Sequence, residues 1–351
     1  MNLGLRIPHC RRRAGYLSLA SLLLAGICLA CAASGRGASE SGARAATPSP
    51  KAEPAKPPCP ANSQLPCPDH IVVVIEENKG YGDIIGSANA PYLNALVTQG
   101  ALLTKFYAEH HPSQPNYMEI FSGNSQGVFN DSCPKSQFSA PSLGGSLINQ
   151  HLTFTGYAED LPPPPSGPSV CEQGDYARRH CPWIDFKDVP NSASVDFASF
   201  PKTAAGFAQL PTVAFVIPNL IDDMHSAPST TPHNAPASSQ IPIEVKDGDT
   251  WLKNNLDAYA QWAKTHNSLL VITWDEDSST YTYPTKPSQK INTKPPQNHI
   301  TTILVGGVVK AGKTSSQQYN HYSLLRTIEN MYGLPAIGGS QTAKPIAGIW
   351  Q

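Results

Sequence analysis

His70-Ile71-Val72-Val73-Val74-Ile75 is a continuous apolar run dominated by β-branched residues, and Glu76-Glu77-Asn78 follows it at once. β-Branched side chains favour extended backbone, and a run without polar alternation predicts a strand buried on both faces, as in a parallel sheet covered by helices. Residues 152–157, 212–217, 269–274 and 300–305 read the same way. Helical patterns lie between them. Residues 91–97 open on Pro91, which suits a first helical turn. Residues 249–265 set Trp251, Leu252, Leu256, Tyr259 and Trp262 on one side at three- and four-residue spacing, and 322–331 repeats the pattern before a stop at Gly333. Alternating strands and helices predict an α/β fold with a mostly parallel sheet. No internal repeat and no Gly-rich phosphate loop interrupts it.

In such sheets functional groups collect where strands give way to loops. Two of these positions are acidic: Glu76-Glu77-Asn78 after the first run, and Asp275-Glu276-Asp277 after the run that ends on Trp274. Carboxylate and amide oxygens at strand ends suit a hard divalent cation. Two acidic clusters in one low-dielectric cleft would repel unless a cation lay between them; either cluster alone reads as easily as a solvated loop. The run 212–217 is followed by Pro218-Asn219-Leu220-Ile221-Asp222-Asp223-Met224-His225, which puts His225 on the same rim. His180 stands in Tyr176-Ala177-Arg178-Arg179-His180-Cys181-Pro182-Trp183; His299 and His321 are weaker candidates.

A different kind of signal is His110-His111-Pro112-Ser113-Gln114-Pro115-Asn116-Tyr117. Its two prolines fix the backbone around Ser113 and predict a helix start near Asn116 or Tyr117. Ser113 would then precede a helix N-terminus, where backbone N–H groups and the dipole favour a phosphate. A serine there is either a helix cap or, with a base or metal to lower its pKa, a nucleophile.

The 351 residues carry a formal net charge of -1, only 15% charged residues and 34 prolines. No basic stripe or acidic tail is present, so nucleic acid is not an expected partner. Low charge with many prolines suits an exported protein with long loops. Arg6 and Arg11-Arg12-Arg13 precede an apolar stretch over 17–33, the layout of a secretory signal covering residues 1–32. Ala30-Cys31-Ala32 fits a small-x-small cleavage site, while Leu29-Ala30-Cys31 resembles the end of a lipoprotein box, with Cys28 where an aliphatic residue is usual. The second reading leaves a lipidated Cys31. The stretch is short for a spanning helix. Residues 33–68, rich in Ala, Ser, Pro and Lys, read as a flexible tether, leaving roughly 280 residues over 69–351 for the catalytic domain. The expected location is secreted or at the cell envelope, with membrane contact only through an N-terminal lipid anchor if Cys31 is lipidated.

Five cysteines remain outside the export segment, and none forms a CxxC pair. In an exported protein they favour disulfides over metal ligation. The preferred pairings are Cys59 with Cys67 and Cys133 with Cys171, which leaves Cys181 without a partner.

Eight segments occur in order: IVVVIEEN (71–78), HPSQPNY (111–117), GYAEDLP (156–162), YARRHCPW (176–183), FVIPNLIDDMH (215–225), GDTWL (248–252), NSLLVITWDED (267–277) and NHYSLLRTIENMYGLP (320–335). Together they resemble the bacterial phosphoesterase family of acid phosphatases and non-haemolytic phospholipases C, notably the secreted acid phosphatases of mycobacteria. The resemblance spans residues 69–350. It implies an alkaline-phosphatase-like three-layer sandwich and a phosphate-ester substrate, with phospholipid or phosphoinositide head groups among the candidates. It also implies one divalent metal ion held by Glu77, Asn78, Ser113, Asp275 and Glu276; the oxygen-rich set favours Mg, Ca or Mn. Ser113 would be both ligand and nucleophile. His180 and His225 would hold the transferring phosphoryl group or handle the leaving oxygen, and Asp223 would support His225. Asp249 and His321 fall in family-like segments without an assigned role. Cys181 stands where relatives often have another residue. Residues 226–243, rich in Pro, Ser and Thr, exceed the family pattern and read as a loop beside the active site.

The chemistry so implied is double displacement. The metal lowers the pKa of Ser113, its oxygen attacks phosphorus in line, and water then hydrolyses the phosphoserine. An imidazolium proton donor would give an acidic optimum. A phospholipase C-type phosphodiesterase is the nearest alternative. Its long relatives carry extra C-terminal domains, and the end of this chain at Gln351 favours the phosphatase. A sulfatase is disfavoured, because Ser113-Gln114-Pro115-Asn116-Tyr117 lacks the Arg of the Cys/Ser-x-Pro-x-Arg context. A non-catalytic surface binding lipoprotein is the alternative from another class, and an intact Ser113 with acidic ligands speaks against it.

Overall fold

The computed structural model describes residues 57, 59–61, 63–164, 166–231, 236–278 and 298–351. The expected export segment, with Cys10, Cys28 and Cys31, and residues 33–56 of the expected tether lie outside the described residues. Among the described residues no helix is long and apolar enough to cross a membrane.

The opening run forms strand β1 (His70–Glu76), buried at every position. It is joined by β2 (Ala101–Leu103), β3 (Phe154–Ala158), β4 (Ser194–Asp196), β5 (Val213–Ile217), β6 (Ser268–Trp274), β7 (Thr302–Val305) and β8 (Lys313–Ser315). The sheet order is β8-β2-β7-β6-β1-β5-β3-β4. β1 lies between β5 and β6, parallel to both, and β3 continues the parallel set between β5 and β4. β7 runs antiparallel to β6 and β2, while β8 is parallel to β2. The expected strand over 300–305 divides: His299–Ile300 belongs to a separate small sheet, and β7 begins at Thr302.

Helices α1 (Pro91–Gln99) and α3 (Ala237–Ala263) pack together, as do α2 (Ser113–Ser122) and α4 (His321–Tyr332). β1 and β6 are buried throughout, as in a sheet covered on both faces, so the fold is an α/β three-layer sandwich. The periodic residues of α3 do face inward: Trp251, Leu252, Leu256 and Tyr259 are buried. The helix nevertheless starts at Ala237 rather than near 249, with Pro242 inside it. Residues 237–243 are therefore helix, not loop. Their composition gives no apolar stripe; burial begins only at Glu244 and Val245, so the first turns are extended from a packed downstream half.

Gly156 in β3 lets the indole of Trp183 lie directly on the sheet; a Cβ there would sit 2.1 Å from Trp183 Cε2. Both expected disulfides are present, Cys59–Cys67 and Cys133–Cys171, and Cys181 is a buried free thiol whose pKa burial raises. Leu65 and Cys67 pack against the core, and Asn267 Nδ2 donates to the Cys67 carbonyl at 2.9 Å. The packed body thus reaches back beyond residue 69 into the segment read as tether.

Candidate active site

Register decides the geometry of the site. β1 and β6 pair with Glu76 opposite Trp274, so the two strands end together and release Glu77 and Asp275 side by side. The Asp275 N–H donates to the Glu76 carbonyl at 2.9 Å, and the Glu77 N–H donates to the Asp223 carbonyl at 2.7 Å. The loops after β1, β5 and β6 therefore open at one edge.

Helix α2 arrives over that edge. It starts at Ser113 itself, not near Asn116. Pro115 falls in the first turn, where a missing N–H costs nothing, so it does not delay the helix. The Asn116 side-chain oxygen accepts from the N–H groups of Glu109 (3.1 Å) and His110 (2.9 Å), which folds the incoming chain against the helix. This start offers fewer free N–H groups than the sequence suggested. Pro115 has none, and that of Gln114 donates to Asp131 Oδ1 at 3.0 Å. The helix dipole remains.

The Ser113 hydroxyl donates to Glu77 Oε2 at 2.9 Å and lies 3.3 Å from Glu276 Oε1. Asn78, in the left-handed region at φ 53°, donates its N–H to Asp275 Oδ1 (3.1 Å) and its side-chain amide to Glu77 Oε2 (3.0 Å). His111 Nδ1 lies 2.7 Å from Glu276 Oε2 and Nε2 lies 3.5 Å from Asp277 Oδ1. Glu77, Ser113, Asp275 and Glu276 are all buried.

His180 bridges two carboxylates, with Nε2 3.0 Å from Glu77 Oε1 and Nδ1 3.2 Å from Asp223 Oδ2. Its ring stacks on Tyr117, centroids 4.9 Å apart at 11°. The half-buried His225 ring lies 6.0 Å from that of His180, with Nδ1 2.9 Å from Ser226 Oγ. The expected support of His225 by Asp223 takes another form: Asp223 Oδ1 accepts the backbone N–H of His225 (2.8 Å), and its ring contact goes to His180. Three other candidates serve the fold. Asp249 caps α1 through the N–H groups of Tyr92 and Leu93, His321 Nε2 lies 3.0 Å from the Trp274 carbonyl, and His299 stacks on Tyr81. His111 and Tyr117 were missed by sequence reasoning. Tyr117 was detectable, since it stands one helical turn from Ser113.

Burial raises the pKa of Asp275 well above its ordinary value, and Glu77 adds to the effect. Burial, Asp275 and Glu77 push Glu276 up to about 11. Glu77 moves the other way, to about 2, because His180, followed by His225, outweighs its burial. Burial would lower His180, but Glu77 and Asp223 bring it up to about 10.

Ligand-type atoms of Glu77, His180 and Asp223 lie within 4.8 Å of one another, a group that could hold a metal ion. In that group His180 Nδ1 is engaged with Asp223, while Nε2, 3.0 Å from Glu77 Oε1, makes no hydrogen bond. On the oxygen side Asp275 Oδ2 is likewise buried with no hydrogen-bond partner, and burial, reinforced by neighbouring carboxylates, raises the pKa of both Asp275 and Glu276. The carboxylates of Glu77, Asp275 and Glu276 and the Ser113 hydroxyl are the oxygen donors gathered here, of the kind a hard cation takes.

A serine lies among buried carboxylates and histidines at the loop edge of an alkaline-phosphatase-like sheet, and the family of the chain makes it a hydrolase of phosphoric esters. The chain belongs to the Phosphoesterase family, whose sequence pattern matches residues 87–335. It is 41% identical over 290 residues to the phosphatidylinositol-3-phosphatase of Mycobacterium tuberculosis, covering 83% of this chain and 85% of the relative. An acid phosphatase of Aspergillus fumigatus is 28% identical over 276 residues, 75% of this chain; the match spans about half (54%) of that longer protein. Among solved structures, an alkaline phosphatase superfamily protein from Vibrio parahaemolyticus aligns with TM-score 0.52 and 14% identity over 82% of this chain and 72% of the other. The lipoteichoic acid synthase LtaP of Listeria monocytogenes aligns with TM-score 0.53 and 12% identity over 80% and 76%. These two likenesses concern the fold alone.

Proposed function

We propose that this chain is an exported, metal-dependent acid phosphatase that hydrolyses phosphomonoesters through a phosphoserine on Ser113. The observation that carries the reading is the Ser113 hydroxyl, at the first residue of α2, 2.9 Å from Glu77 Oε2 and 3.3 Å from Glu276 Oε1. Glu77, Asn78, Ser113, Asp275 and Glu276 would hold one divalent ion, with Mg, Ca or Mn suited to the set. Such an ion, when bound, supplies positive charge that acidifies the serine hydroxyl and offsets charge on the phosphoryl oxygens.

The remaining work falls to the chain's own groups. Glu77 accepts the Ser113 hydrogen bond and fixes the direction of the oxygen. His180, held between Glu77 and Asp223, is a buried imidazolium that contributes fixed positive charge. Because it keeps its proton to about pH 10, it does not account for an acidic optimum. His225, on the rim and half-buried, is the histidine assigned to the leaving oxygen.

The names of the mycobacterial and fungal relatives support phosphomonoesters as the substrate class, with inositol lipid head groups as a candidate. The two disulfides support export to an oxidising compartment. The test is phosphate release from the purified chain across pH, with and without chelator, using water-soluble esters and phosphoinositides. Ser113→Ala should lower release by on the order of a thousandfold or more while leaving the circular dichroism spectrum unchanged. Undiminished release from the variant would dismiss Ser113 as nucleophile. Release of an inositol phosphate from the phosphoinositides, instead of inorganic phosphate, would mark a phosphodiesterase.

A further inference from the structure

Lys79 is almost wholly buried, although lysines seldom are. Its ammonium lies 2.9 Å from Glu244 Oε2 in α3 and donates to the Met224 carbonyl at 2.6 Å. Desolvating such a pair is costly, and a hydrophobic pair would serve stability as well. What the ammonium adds is a fixed direction for one peptide group.

That peptide belongs to the turn Asp223-Met224-His225. Met224 has φ 73°, a left-handed conformation that costs a long side chain free energy and persists only where its surroundings enforce it. Its side chain is fully buried and fills a notch over Gly248, one helical turn beyond Glu244. A Cβ on Gly248 would lie 2.4 Å from Met224 Cγ and 3.0 Å from the Asp222 carbonyl. Helix α3 thus grips this turn twice, once through Glu244, Lys79 and the Met224 carbonyl, and once through Gly248 beneath the side chain. The residues on either side are Asp223, whose carboxylate meets His180 and the His225 N–H, and His225 itself.

We propose that Lys79, Glu244 and Gly248 are positioning residues, which hold the Asp223-Met224-His225 turn in the conformation that presents Asp223 to His180 and His225 to the rim. As far as turnover is concerned, the inference rests on the phosphatase reading above.

The double variant Lys79→Met/Glu244→Met tests it, because removing both charges together leaves no unpaired buried ion. The expected result is a folded protein whose kcat for phosphate release falls about 10- to 100-fold, as displacement of catalytic groups by an ångström would cause. KM should change less than about threefold. The ring N–H resonances of His180 and His225 should shift in ¹⁵N-labelled protein. Gly248→Ala should give the same pattern through the Met224 side chain, and it carries the test alone if the double variant does not fold. Wild-type kcat, or a lowered kcat with unmoved ring resonances, would overturn the proposal. A wild-type chain that releases no phosphate would refute the phosphatase reading instead; the ring resonances, which need no turnover, would still decide the positioning role.

Discussion

His111 Nδ1 lies 2.7 Å from Glu276 Oε2, which joins the segment carrying Ser113 to the loop that follows β6. Groups behind a ligand in this way fix its orientation and commonly contribute 10- to 100-fold to metal affinity. His111→Ala should therefore weaken activation by a divalent ion about 10- to 100-fold, with a smaller change in kcat at saturating metal. Titrating metal into chelator-treated protein while following phosphate release is the measurement. Superimposable activation curves would show that the contact does not bear on ligation.

Glu276 itself should show opposite effects with and without metal. Without a cation its burial, and then repulsion from Asp275 and Glu77, raise its pKa. Glu276→Gln should raise the Tm of chelator-treated protein at neutral pH by about 2–4 °C, the shift that about 1 kcal/mol gives in a domain of this size. It should also diminish the Tm increase that saturating metal gives the wild type. Calorimetry with and without metal decides it; a variant stabilised by metal as strongly as the wild type would remove Glu276 from the ligand set.

Gly156→Ala should be severely destabilising. The added carbon would meet Trp183 Cε2 at 2.1 Å, and neither partner can yield, one being strand backbone and the other a buried indole. Overpacking of this kind costs about 1–3 kcal/mol or more. The urea midpoint, followed by tryptophan fluorescence, should drop accordingly, and an unchanged midpoint would mean the indole can move aside.

Stability should decline as the solution becomes less acidic. Burial raises Glu329 from 4.5 to about 7, despite hydrogen bonds from Ser340 and the Ile337 N–H, and raises Glu109 to about 8. A carboxyl with a raised folded-state pKa keeps a proton that the unfolded chain releases, so its contribution is full below about 4.5 and is lost as pH climbs through the folded value. Tm should fall between about pH 5 and about pH 7.5, and Glu329→Gln should flatten the slope. A flat profile in the wild type would show that these carboxyls ionise normally in the folded chain.

The β-branched run before Glu76 made the central strand legible, because an unbroken apolar stretch such as Ile71 to Ile75 can hardly be placed except inside a covered sheet. The same logic marked Glu77, Asp275 and His225 as rim positions. Other features were hidden for identifiable reasons. Pro115 reads as a helix breaker, yet in a first turn it breaks nothing, so the start at Ser113 was misplaced. The early turns of α3 carry no apolar stripe to announce them. The preference of Asp223 for the His180 ring depends on loops that meet across 43 residues of chain, which local spacing cannot reveal. Nothing in the local sequence marks Lys79 for burial, and only the packed structure shows Glu244 beside it.

The groups that meet at the end of β1 come from far-apart stretches of sequence, with Ser113 and Glu276 alone separated by 163 positions. No contiguous fragment that stops short of Glu276 can therefore hold a working centre. During synthesis the first acidic residues emerge long before the last, and they gain their neighbours only when β6 docks against β1. Turnover in this molecule is a property of the finished tertiary structure, so recovered activity after refolding measures the fraction of molecules that have completed the whole sheet.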